Sequence, residues 1–296
     1  MFIKRTDLAL ENHEIKARRG VNDGIILRDK EIFGFKVTEA SVKEQSGEKK
    51  YITLELGRGW RYEKELSKNA ARAIAGEINR LIAAERGSFL AVGLGNESIT
   101  PDSLGPKAIK KLIVTRHIEK SDPALFIGAG FSSVAAICPG VLGQTGIESA
   151  EIVKSVCERI KPDAVIIIDA LASRSMERLG TTLQITDAGI TPGSGVANAR
   201  FELSEATLGV KTVALGVPTV VDAATLAFDL LEGAFGEEKE DFGEIIAKIC
   251  GKGAKETYLS PKESDALTDD LGRLIGISLN AALHGMEVSE AEGYFS

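Results

Sequence analysis

The stretch Ala164-Val165-Ile166-Ile167-Ile168-Asp169 decides the fold: an unbroken apolar run closed by an acid. A run without alternation suits a strand buried on both faces, as in a parallel sheet covered by helices. Lys161-Pro162 just ahead of it stops a helix, because the residue before proline is driven out of helical geometry.

Working outward, Ser88-Phe89-Leu90-Ala91-Val92-Gly93-Leu94 reads as a second buried strand. Val134-Ala135-Ala136-Ile137 is a short apolar run, and Thr212-Val213-Ala214-Leu215-Gly216-Val217 is another strand. Helices are predicted from about Gly105 to Ile118 and from about Ala223 to Leu231. Another opens at Thr145, three residues before Glu148, where a capping box can satisfy free N–H groups. A last helix covers residues 264–284. Residues 233–241, rich in Gly and Glu, read as an exposed connection. Before residue 88, Ala71, Ile74, Ile78 and Ile82 step at helical intervals within a helix from about Glu63 to Ala84. Residues 21–56 alternate like strands, notably Ile32–Val37 and Tyr51–Leu56, with a turn at Ser46–Lys50 between them. Residues 1–20 are charged, with helical spacing at Leu8, Leu10 and Ile15.

The expected architecture is one α/β domain over residues 1–296. A doubly wound, mixed or mostly parallel sheet flanked by helices forms its core at 88–232. Residues 21–56 add a small N-terminal β region, and 264–284 is a closing C-terminal helix.

Composition supports this and excludes other classes. Hydrophobic residues make up 44% of the 296, ample for a core, and aromatics only 5%, so aliphatic side chains do the packing. A net charge of −7 argues against a nucleic-acid surface. Cys138, Cys157 and Cys250 form no CxxC pair and are odd in number, which suits reduced thiols serving as small buried apolar fillers. The N-terminus carries no apolar signal region, and no apolar stretch approaches the roughly 20 residues of a membrane span. A soluble, cytoplasmic protein without membrane or nucleic-acid partners is expected.

Ligands of open α/β sheets bind beyond the carboxyl ends of the strands, so acids there draw interest. Asp102, Asp169 and Asp222 each follow a predicted strand. Asp102 suits either a helix cap or a site role, and Asp222 suits the N-cap of the helix at Ala223. Asp169 continues an apolar run and is expected to be half-buried, so it needs partners or a shifted pKa. Two carboxylates sharing a crevice can split their pKa values, one taking a proton from water and the other donating one, which suits amide hydrolysis. His117, on the apolar face of the predicted 105–118 helix, reads as a buried structural histidine. The alternative is a divalent-metal ligand beside Asp102 and Asp169, although no HExxH-like spacing supports it. Otherwise no cofactor is expected. Gly93-Leu94-Gly95 lacks the third glycine of a dinucleotide fingerprint, and Gly193-Ser194-Gly195 does not complete GxSxG. The segment 186–198 suits a flap over a cleft, with Ser194 available to touch substrate.

Over nearly the whole chain these loops resemble the germination protease family of spore-forming bacteria. The matching blocks include Arg5-Thr6-Asp7-Leu8-Ala9, Thr100-Pro101-Asp102-Ser103-Leu104-Gly105-Pro106-Lys107 and Val114-Thr115-Arg116-His117. They continue through Pro139–Glu148, Ile168-Asp169-Ala170-Leu171-Ala172-Ser173-Arg174-Ser175, Pro192–Val196, Gly216–Ala223 and Leu279–His284. The resemblance implies a fold akin to phosphorylases and hydrogenase-maturation proteases. It also implies an endopeptidase that starts the degradation of small acid-soluble spore proteins at germination, cutting after a glutamate, in the forespore or spore core. It carries catalytic roles to Asp102 and Asp169, and implies a homotetramer made as a zymogen. Only Met1 to Lys4 precede Arg5, shorter than expected for a proform, which leaves zymogen control open. Lys107 and Arg174 are the cations expected to receive an acidic substrate residue.

Overall fold

The computed structural model describes residues 5–18, 24–44, 47–84, 86–192, 201–235, 242, 245, 246, 248 and 257–295. Its strands are β1 (Ile26–Ile32), β2 (Phe35–Glu44), β3 (Gly47–Glu55), β4 (Ser88–Gly93), β5 (Ser133–Ile137), β6 (Ala164–Ser173), β7 (Thr182–Thr186), β8 (Lys211–Asp222) and β9 (Tyr258–Leu259). They form one sheet in the order β1-β2-β3-β7-β8-β6-β4-β5, with β9 paired to β8. The pairs β4–β5, β4–β6 and β6–β8 are parallel. The pairs from β1 through β7 to β8 are antiparallel. The expected parallel core and its added β leaf are therefore continuous.

The two faces follow the pleat. Phe89, Ala91, Ile166 and Ile168 pack with the helices Lys64–Ile82 and Ser264–His284. Leu90, Val92, Val165 and Ile167 pack under Val153 and Cys157 of the helix Ser149–Ile160. Ile166, Ile167 and Ile168 are fully buried, each contributing about 1.5–3 kcal/mol by leaving water. Helix Leu104–Ile109, between β4 and β5, covers the first face, and Ser149–Ile160, between β5 and β6, covers the second. The chain leaves β4 for one neighbour and returns to the other. A topological switch point thus opens between the carboxyl ends of β4 and β6.

Several elements differ from expectation for local reasons. Ile32–Val37 is broken by a turn, with Phe33 at φ 49° and Gly34 at φ 84°, the backbone that lets β1 and β2 form a tight hairpin. The helix expected from Gly105 to Ile118 splits into Leu104–Ile109 and Arg116–Ser121. The closing helix satisfies the backbone at the break. Asn280 Oδ1 accepts from Ile113 N–H at 2.8 Å, its Nδ2 donates to Lys111 O at 2.8 Å, and His284 Nε2 lies 2.9 Å from Ile113 O. Thr145 ends a short helix, Leu142–Thr145, and the longer helix starts at Ser149. There the left-handed Gly146 separates the two, and Thr145 Oγ1 accepts from Ile147 N–H instead of capping.

The strand β7, bridging the two halves of the sheet, was not expected. Both β6 and β8 run several residues further than the sequence indicates. Cys157 is buried as expected, Cys138 is exposed at the end of β5, and Cys250 lies outside the described residues. The C-terminal helix has its expected bounds, and the helix after β8 runs Ala223–Phe235. No helix among the described residues is long and apolar enough to cross a membrane.

Candidate active site

The switch point is a cleft of about 730 Å³ lined by Asp102 and Asp169, with Asp7, Tyr51, Gln184, Thr186 and Tyr258 around them. Asp169 lies inside β6, opposite Gly216 of β8, and is 7% exposed. Gly216 leaves room there, because a Cβ would meet Leu171 Cγ at 2.6 Å and Asp169 O at 2.9 Å. Asp169 Oδ1 accepts the N–H of Ala170 at 2.9 Å. Burial raises its pKa well above the ordinary carboxyl range, and the charges of Asp102 and Asp7 push it further the same way.

Asp102 closes a single 3₁₀ turn, Thr100–Asp102, in the loop after β4. That loop starts beside Asp169, since Leu94 N–H donates to Ile168 O at 2.8 Å. Asp102 does not cap the following helix through its side chain; its Oδ2 accepts from Asn96 N–H at 2.7 Å, tying the carboxylate back to the loop it ends. Gly95 makes this possible. Its φ of 110° and a hypothetical Cβ only 2.0 Å from Asp102 O exclude any side chain. Half-buried, the Asp102 carboxyl is raised to about 6 by desolvation, partly offset by the Asn96 bond.

Asp7 is a third acid that strand-end reasoning does not find, because it reaches the cleft from the N-terminal segment. Its N–H donates to Ala172 O at 2.9 Å, and its Oδ2 accepts from Ala172 N–H at 2.8 Å. Gln184, 6% exposed on β7, holds the same segment, accepting from Ala9 N–H at 2.8 Å and donating to Asp7 O at 3.3 Å. The polar residues of Thr182-Leu183-Gln184-Ile185-Thr186, alternating with apolar ones, were the available signal for β7.

Other candidate residues lie elsewhere. Asp222 ends β8 and caps the next helix, accepting from Thr225 N–H and Oγ1, each at 2.8 Å, with Arg5 Nη1 at 3.5 Å from its other oxygen. Lys107 Nζ reaches Asp269 at 2.8 Å and Thr268 Oγ1 at 2.7 Å on the C-terminal helix, outside the cleft. Arg174 is 8% exposed and bonded to Asp229 and, at 3.0 Å, to Glu232, in a separate hollow. His117 is exposed on helix Arg116–Ser121 rather than buried, and does not line the cleft. Among the described residues no three His, Cys, Asp or Glu side chains are grouped to hold a metal ion. Ser194 lies outside the described residues, as does most of the 186–198 segment.

Comparison with known proteins agrees with the resemblance. The germination protease family matches residues 3–250. The chain is 38% identical to the germination protease of Clostridium tetani, covering 99% of both chains. It is 39% identical to that of Clostridium acetobutylicum, covering 98% of each, and 39% identical to that of Caldanaerobacter subterraneus, covering 94% of each. Among solved structures, a [NiFe] hydrogenase maturation protease HycI from Thermococcus kodakarensis aligns at TM-score 0.38 and 16% identity, over 69% of this chain and 98% of that one. The chain belongs to the germination protease family.

Proposed function

We propose that this peptidase cleaves small acid-soluble spore proteins in the spore interior, at the bond after a glutamate, with a water held between Asp102 and Asp169. The observation that carries the mechanism is that the carboxyl groups of Asp102 and Asp169 line one cleft, each held above the ordinary carboxyl range by burial. Asp102, at about 6, is mostly ionised at neutral pH and is the base that takes a proton from water. Asp169, buried and beside two other acids, keeps its proton and donates it to the scissile carbonyl oxygen as the hydroxide adds. When the C–N bond breaks, Asp102 passes the proton it took from water to the leaving amine, and a hydroxyl proton of the intermediate returns to Asp169. The groups titrate together, so a pH–rate profile belongs to the pair. No metal is required by this scheme.

A zymogen form is part of the proposal. Thr6 and Asp7 of the chain's own N-terminal segment already line the cleft, where an incoming peptide has to lie. Assembly as a homotetramer is proposed from the family resemblance.

The test is incubation of purified chain with a small acid-soluble spore protein, followed by mass spectrometry of the products. Asp102→Asn and Asp169→Asn each leave the substrate intact while circular dichroism stays native. Full cleavage by both variants removes the mechanism, and chelator-sensitive cleavage restored by one divalent ion replaces it with metal-assisted hydrolysis.

A further inference from the structure

We propose that a second cavity, between Arg58 and Lys262, is a subsite that takes an acidic side chain of the peptide held in the aspartate cleft. The inference rests on the peptidase reading above and assigns one of its specificity elements.

The cavity holds about 370 Å³ and shares Ser260 with the cleft. The strand β9 and the residue after it form the partition. Tyr258 lines the cleft and Leu259 the second cavity, on opposite faces of the extended chain, and Ser260 at the end of the partition borders both. A peptide leaving the cleft over Ser260 enters this cavity. Its floor is fixed, since Trp60 is 2% exposed and its Nε1 donates to Gly180 O at 3.3 Å. Its rim gathers Tyr62, Met176 and Leu259, exposed by 75%, 53% and 41%. Large apolar side chains collected in one exposed place mark a contact surface.

The charges sort the ligand. Arg61 is committed to Asp270, with Nη2 at 2.7 Å from Oδ2. Arg58 and Lys262 are exposed, and neither forms an ion pair among the described residues. Among the described residues Glu263 is the one carboxylate on the lining beside these two cations, and it forms no ion pair there. The cleft, in contrast, carries Asp7, Asp102 and Glu202 beside the protonated Asp169. An acidic side chain is thus repelled from the cleft and attracted across Ser260, which fixes the register of the bound peptide. Lys107 and Arg174, held by their own carboxylates, do not compete for it.

The test uses fluorogenic nonapeptides, identical except for one residue, that carry Glu, Gln or Lys at each position in turn. The wild type prefers Glu over Lys by about 30-fold in kcat/KM at one position. Arg58→Glu with Lys262→Glu reverses that preference, and Arg58→Gln with Lys262→Gln, which preserves bulk, reduces it to near unity. Thermal melting verifies that the variants fold. A wild-type enzyme indifferent to charge at every position overturns the subsite, as does a Glu preference unchanged in the charge-reversed variant. Binding separates this from failure of the peptidase reading. A fluorescein-labelled Glu peptide binds the Asp102→Asn, Asp169→Asn chain, and adding the charge reversal weakens binding about tenfold. Loss of that effect sinks the subsite whether or not the chain cleaves anything.

Discussion

Replacing Asp102 with asparagine isolates the electrostatic cost of assembling the cleft. Moving the Asp102 carboxyl from 3.8 to about 6 corresponds to about 3 kcal/mol at about 1.36 kcal/mol per pH unit. Because Asp102 is only half-buried, solvent trims this to about 2 kcal/mol. The sign follows from proton counting. Between pH 3.8 and about 6 the folded protein binds more protons at this site than the unfolded chain, so wild-type stability falls as pH rises through that window. Asparagine cannot ionise and still offers an oxygen to Asn96 N–H. The stability of Asp102→Asn relative to wild type therefore climbs by about 2 kcal/mol between pH 3.5 and pH 7, whatever its offset at low pH. Relief of Asp169 from its neighbour's charge acts in the same direction. Urea titrations followed by circular dichroism at four or five pH values measure the difference. A difference that stays flat across the window refutes the assignment of Asp102 as a desolvated carboxylate.

Two further substitutions test neighbouring claims. Gly95→Ala places a methyl 2.0 Å from Asp102 O at a positive φ, and should cost about 3–5 kcal/mol in a denaturant melt and abolish cleavage. Wild-type activity in that variant would show that Asp102 is not held by this contact. Arg174→Met removes the cation from Asp229 and Glu232 and should cost about 3 kcal/mol, read by thermal melting, without changing the Glu-over-Lys preference of the peptide assay. A change in that preference would return Arg174 to substrate reading.

The core was legible because a strand buried on both faces has to be apolar throughout, and Ala164–Ile168 leaves no other reading. Legibility failed where partners far along the chain set the geometry. The break after Ile109 depends on Asn280 and His284, some 170 residues away, and no local pattern marks it. β7 was hidden because it is only five residues long and buried on both faces, yet places Thr182, Gln184 and Thr186 where a buried strand is expected to be apolar. Asp102 and Asp169 stood out by their place after strands. Asp7 did not, because its position depends on hydrogen bonds to Ala172, which a linear reading cannot pair with it. Lys107 and Arg174 illustrate the opposite error: a cation near a reactive block in sequence can be engaged by carboxylates of a different element.

Where the β4 loop meets the following helix, the chain touches itself without side chains. A Cβ on Gly93 would lie 2.5 Å from Gly105 O, and one on Gly105 would lie 2.3 Å from Leu94 O. Main chain pressed on main chain has no rotamers to adjust, so the lip that carries Asp102 cannot be loosened or retuned by exchanging aliphatic residues in the interior. The interior can drift through many combinations of Ile, Val and Leu while the reactive edge stays where it is, and the only edits that reach it are those that put an atom where these glycines leave none.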